Sequence, residues 1–125
     1  VSEGYLEDLL EIMEKYKLYW NNKLTIQMVA EKLNISHIHL SQVINIDLNM
    51  TFYSFLSLYR VTEVMEMLVD PLFKDENVIQ IAYRAGFNTK SSFNAVFKKF
   101  TGLTPTQYRK KYFLGQNHSG RSLIQ

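Results

Sequence analysis

Residues 77–89 read Asn77-Val78-Ile79-Gln80-Ile81-Ala82-Tyr83-Arg84-Ala85-Gly86-Phe87-Asn88-Thr89. Asn77 with Gln80 three positions on is the pattern of a reciprocal N-terminal helix cap. Val78, Ile81, Ala82 and Ala85 then recur at helical spacing. Gly86 accepts the positive φ with which a helix ends. Phe87 is an apolar anchor after that turn, and Asn88 or Thr89 caps the next helix. That helix has Phe93, Val96, Phe97 and Phe100 on its inner face, and Gly102 ends it. Thr104-Pro105-Thr106-Gln107 combines a cap, a proline at the first helical position and Gln at the third, so a further helix runs to about Tyr112.

The same pattern stands 52–53 residues earlier. Ile26, Val29, Ala30 and Leu33 correspond to Val78, Ile81, Ala82 and Ala85. Asn34, Ile35 and Ser36 correspond to Gly86, Phe87 and Asn88. After a slip of one residue, Leu40, Val43 and Ile44 correspond to Phe93, Val96 and Phe97, and Asn49-Met50-Thr51 to Gly102-Leu103-Thr104. Phe55 and Tyr59 fall opposite Tyr108 and Tyr112. The small Ala30 and Ala82 let a second helix approach closely, and four positions later comes a residue tolerant of positive φ. That is the spacing of a helix-turn-helix, whose second helix can enter a major groove.

The segments around this repeat are helical too. Leu6, Leu9, Leu10 and Met13 predict an amphipathic helix over 5–20 with an acidic outer face, and Thr25 is the cap for the helix from Ile26. The helix after Ser36 is expected over about 37–46, followed by a turn at Asp47-Leu48-Asn49-Met50. Thr51 caps a longer helix to about Val69, which Asp70-Pro71 stops. The buried side of that helix is expected to hold Phe52, Phe55, Leu56, Tyr59, Val64, Met67 and Leu68. No segment has a period of two. The predicted class is all-α: two helix-turn-helix units joined by a long linker helix, about seven helices in all. The expected organisation is an N-terminal helix packing on the first unit (1–23), the first unit (24–50), the linker (51–70), the second unit with its closing helix (77–112) and a flexible tail (113–125). A helix over 51–69 is about 28 Å long at the usual rise. Major-groove faces on one side of duplex DNA recur about every 34 Å, so one chain can address two successive grooves.

Composition sets the class of partner. The chain has 125 residues, 46% of them hydrophobic and 14% aromatic, enough for a core. It has no cysteine, which excludes a disulfide scaffold, a thiolate zinc site and a thiol nucleophile. No apolar run reaches the roughly 18 residues that span a bilayer, and the start is not a signal peptide. The chain does not begin with Met and is expected to be a piece of a longer protein. The net charge of +2 is the sum of two opposite halves. Residues 1–76 carry all 12 acids and 6 bases, net −6. Residues 77–125 carry 8 bases and no acid: Arg84, Lys90, Lys98, Lys99, Arg109, Lys110, Lys111 and Arg121. A long stretch without a carboxylate is the footprint expected for a polyanion.

At this point the residues resemble a known family. Leu24-Thr25, Ala30, Ile35-Ser36 and Leu40-Ser41 are similar to the first helix-turn-helix of the AraC/XylS transcription activators. Arg60-Val61, Val64 and Met67-Leu68 resemble their linker helix. Ile79, Ile81-Ala82, Gly86-Phe87, Ser92-Phe93, Phe97-Lys98-Lys99-Phe100, Gly102, Thr104-Pro105 and Tyr108-Arg109 resemble the family signature. The resemblance covers about residues 24–112. It implies the DNA-binding output domain of a transcription regulator, most simply an activator. It also implies a cytoplasmic site of action (the parent protein can be membrane-anchored), RNA polymerase as a partner, and a sensor or dimerisation region missing from this fragment. The sequence departs from the family pattern at Asn49, Val64 and Ile44, where Gly, Ala and Phe are usual. Gln42 stands where many members carry Arg, and Ala95 where a polar or basic reader is common.

The candidate base contacts are Ile38, Ser41, Gln42 and Asn45 on the first recognition helix, and Thr89, Lys90, Ser91 and Asn94 on the second. Ile38 can equally be a core residue. Candidate phosphate contacts are Ser36, Asn88 and Thr104, at helix starts with free N–H groups, together with Lys98, Lys99 and Arg109. Arg60, on a largely apolar helix, reads as structural, paired with a carboxylate or a helix end. No catalytic arrangement, cofactor motif or metal-ligand spacing is present: His37 and His39 do not share a helix face, and His118 is distant. The alternative function is a helical protein-interaction module that kept the fold and lost specific DNA binding.

Overall fold

The computed structural model describes residues 4–115; the expectations for Val1 to Glu3 and for the tail from Gln116, His118 and Arg121 included, lie outside the described residues. Among the described residues seven α-helices follow one another: α1 (Tyr5–Tyr16), α2 (Ile26–Leu33), α3 (His37–Leu48), α4 (Phe52–Val69), α5 (Val78–Arg84), α6 (Lys90–Thr101) and α7 (Pro105–Tyr112). Single 3₁₀ turns lie at Leu18–Trp20 and Pro71–Phe73, and no strand occurs among the described residues. The chain divides within α4 into two compact units, residues 1–60 and 61–125.

In the first unit, Leu9 and Met13 of α1 are buried with Val29 and Ala30 of α2, Leu40 and Ile44 of α3, and Phe55 and Leu56 of α4. Tyr19 is buried there too, stacked on Tyr59 with ring centroids 5.1 Å apart. The predicted helix over 5–20 ends earlier, at Tyr16. Lys17 takes a left-handed conformation (φ 50°), and a separate 3₁₀ turn carries the chain onward. That break lets Arg60, only 8% exposed, reach two main-chain carbonyls. Its Nε donates to the Tyr19 carbonyl at 2.8 Å and its Nη2 to the Asn21 carbonyl at 2.9 Å. Burial lowers its pKa from the ordinary guanidinium value.

In the second unit, Ile81, Ala82 and Ala85 of α5 pack with Phe93, Val96 and Phe97 of α6 and with Val61, Val64 and Leu68 of α4. Val61 joins the buried side of α4 in addition to the residues expected there. Phe100, expected inside, is 42% exposed: it lies in the last turn of α6, where Gly102 (φ 78°) turns the chain away. After α7 the backbone is tied back by a bond from the Leu114 N–H to the Val69 carbonyl, 2.9 Å.

The repeat is present bond for bond within the two units. The Ile35 and Phe87 N–H groups donate to the Ala30 and Ala82 carbonyls, both at 3.1 Å. Asn34 and Gly86 donate to Glu31 and Tyr83, again both at 3.1 Å. Asn34 (φ 63°) and Gly86 (φ 106°) supply the positive φ. The caps of the second helices are Ser36 and Thr89, whose hydroxyls accept from the His39 and Ser92 N–H groups. The offset is therefore 52 through Ile35/Phe87 and 53 from Ser36/Thr89. This places the extra residue at Asn88, before the cap and not after it, and makes Thr89 the cap. One boundary also moves: α3 continues through Asp47 and Leu48 to a left-handed Asn49 (φ 56°), so the expected turn is shorter.

Candidate nucleic-acid interface

The second unit gathers four of its predicted contact residues, Lys90, Asn94, Lys98 and Thr104, in one groove of about 820 Å³. Lys90, Asn94 and Lys98 line one wall at four-residue intervals along α6, with Ala95 beside them. The other walls are the starts of α5 (Asn77, Val78, Ile79) and α7 (Thr104, Pro105, Thr106). These starts are closed by reciprocal caps. Asn77 Oδ1 accepts from the Gln80 N–H and Gln80 Oε1 from the Asn77 N–H, both at 2.9 Å. Thr104 and Gln107 repeat this at 3.1 and 3.0 Å. Pro105 has no N–H and Gln107's is capped, so Thr106 keeps the donor that points out of the first turn of α7. A lysine-lined groove closed by a helix start suits an anionic backbone passing over α6.

The remaining candidates on this unit lie outside that groove. Thr89 and Ser91 are exposed at the start of α6, and the Thr89 hydroxyl is used as the cap. Lys99 is exposed on the flank away from Lys90. Asn88 is exposed but belongs to the turn and does not cap the helix. Arg109 is half-buried and committed: its Nη1 donates to the Glu76 carbonyl at 2.6 Å and its Nη2 to the Phe73 carbonyl at 2.7 Å. Arg84 forms a two-pronged pair with the Glu76 carboxylate, both contacts at 2.7 Å. The cations facing outward on α6 are thus all lysines.

In the first unit the exposed face of α3 carries Ile38, Ser41, Gln42 and Asn45, as expected. Ile38 is 63% exposed and is not a core residue. Ile46, one turn beyond Gln42, is 74% exposed and is absent from the sequence-derived candidates, because it falls where the helix is expected to end. Ser36 is exposed with its hydroxyl engaged as the α3 cap. Among the described residues, no group of three or more His, Asp or Glu is arranged to hold a metal ion, and no helix is long and apolar enough to cross a membrane.

Comparison with known proteins places this geometry. A helix-turn-helix domain family matches residues 29–111. The chain belongs to the AraC-type helix-turn-helix family. A Staphylococcus aureus protein described as an uncharacterised HTH-type transcriptional regulator is 30% identical over 99 residues, covering 79% of this chain and 13% of that protein. The melibiose operon regulatory protein of Escherichia coli is 30% identical over 110 residues, covering 87% of this chain and 34% of its own. Among solved structures, the C-terminal domain of AraT, a response regulator from Geobacillus stearothermophilus, superposes with a TM-score of 0.69 at 29% identity, covering 90% of this chain and 96% of that one. The chain therefore spans a minor part of the two regulators and nearly the whole of the isolated domain. As an AraC-type DNA-binding domain it uses α2 and α3 as the first helix-turn-helix and α5 and α6 as the second, with α7 closing the groove beside α6.

Proposed function

We propose that this chain is the output domain of a larger transcription activator and binds a specific duplex site as a monomer. In this reading α3 and α6 enter two successive major grooves. Ile38, Ser41, Gln42 and Asn45 meet base edges in one, and Thr89, Lys90, Ser91 and Asn94 in the other. Lys98, Lys99, the turn at Asn88 and the starts of α3 and α7 at Ser36 and Thr104 hold phosphates. Arg109 serves chiefly as an internal clamp. The domain acts in the cytoplasm by binding and not by catalysis. Its protein partners are the sensor or dimerisation region of the parent protein and RNA polymerase. The observation that carries this reading is the groove that joins Lys90, Asn94 and Lys98 to the start of α7.

A mobility shift with a pool of random duplexes tests it. One site should be enriched. If 5–7 phosphates are neutralised, log K should fall against log salt with a slope of about −4.5 to −6. Lys90→Ala and Lys98→Ala should weaken binding more than Lys15→Ala and Lys17→Ala. A flat salt response, or equal affinity for all sequences, would favour the protein-interaction alternative.

A further inference from the structure

The outward face of α3 has an unusual make-up for a surface meant to meet a polyanion. Ile38, Gln42 and Ile46 follow at intervals of four, with Asn45 beside them, so two exposed isoleucines bracket an amide on one face. A single exposed isoleucine needs no explanation, but this pairing serves neither burial nor helix propensity. The one acid of α3 is Asp47, on the other side of the helix, and the helix has no Lys or Arg. Among the described residues, the Gln42 and Asn45 side chains make no hydrogen bond, so their donors and acceptors are available.

The chemistry of such a face is selective in a major groove. An amide side chain matches the N6 and N7 edge of adenine with two hydrogen bonds, an aliphatic side chain matches the 5-methyl of thymine, and guanine is taken chiefly by Arg or Lys. We infer that the first unit reads neighbouring A·T pairs, with Gln42 on an adenine edge and Ile38 against the 5-methyl of a thymine. The inference rests on the duplex-binding reading above. It makes the two half-sites chemically unequal: a neutral reader on α3, and lysine-bearing α6 supplying the counterion release.

The test uses the whole 125-residue chain on the site enriched from random duplexes. Gln42→Ala marks the half-site read by α3, with about tenfold weaker binding and relaxed preference at an adenine there. Each thymine of that half is then replaced by deoxyuridine, which removes only the 5-methyl group. Wild type should lose about fourfold at one position, the value of one methyl taken from water. Ile38→Ala should bind the original site weakly and be indifferent to that replacement, while Ile38→Val should keep part of the sensitivity. Ile38 is on the surface, so thermal unfolding of these variants should match wild type. A G·C-rich half-site, insensitivity to deoxyuridine, or equal sensitivity in Ile38→Ala would overturn the inference and leave duplex binding intact. No enriched site would overturn both.

Discussion

Arg60 and Arg109 each come directly after a tyrosine, Tyr59 and Tyr108, and each sends its guanidinium to two main-chain carbonyls. Arg60 holds the stretch of chain just before α2, and Arg109 the stretch just before α5. Lysine cannot fork in this way, although it keeps the charge. Arg60→Lys should therefore lower unfolding stability by about 2–3 kcal/mol in urea titration, the range for losing hydrogen bonds from a charged group and leaving buried carbonyls unpaired. Arg109→Lys should cost less, about 1–2 kcal/mol, because its site is only half-buried, and should leave the salt slope of DNA binding unchanged. A changed slope at unchanged stability would return Arg109 to the phosphate contacts. The apolar helix around Arg60 marks it as structural in the sequence, but Arg109 carries no such cue. The partners of both lie 33 to 41 residues away, and a main-chain carbonyl leaves no trace in side-chain identity.

The helices of the repeat are legible because their ends are written in local chemistry. Thr25, Thr51, Asn77 and Thr104 cap as expected, and Asn34, Gly86 and Gly102 take positive φ. The differences fall where local chemistry is ambiguous. Lys17 has no left-handed preference, so nothing in the sequence marks the end of α1, and Phe100 fits the periodicity of α6 beyond the point where packing partners cover it. Asn88 and Thr89 are both good caps. Only the bond from the Ser92 N–H to the Thr89 hydroxyl, 3.0 Å, decides between them. Thr89→Ala should cost about 1 kcal/mol of stability by chemical denaturation, and Thr89→Ser, which keeps the capping hydroxyl, should cost much less. Equal losses in the two would place the cap of α6 elsewhere. The candidate groove is half legible. The lysines and Asn94 of α6 can be read from their spacing, but their meeting with the starts of α5 and α7 needs the tertiary fold.

At the scale of the molecule, the near-neutral total hides a division of labour. Residues 1–60 carry 7 acids and 5 bases, net −2, while residues 61–125 carry 5 acids and 9 bases, net +4. Arg84 and Arg109 are held by the Glu76 carboxylate and by carbonyls, so the electrostatic grip proposed for the second unit falls to lysines. In the reading proposed above, the first unit contributes an uncharged face that selects bases. We propose that both units read one duplex at once, and hydroxyl-radical footprinting of the 125-residue chain on its enriched site is the test. Two protected tracts are expected on one face of the duplex, with centres about one helical turn, 10–10.5 base pairs, apart. Gln42→Ala should weaken one tract and Lys98→Ala the other. A single tract, or two tracts out of phase with the helical turn, would contradict it.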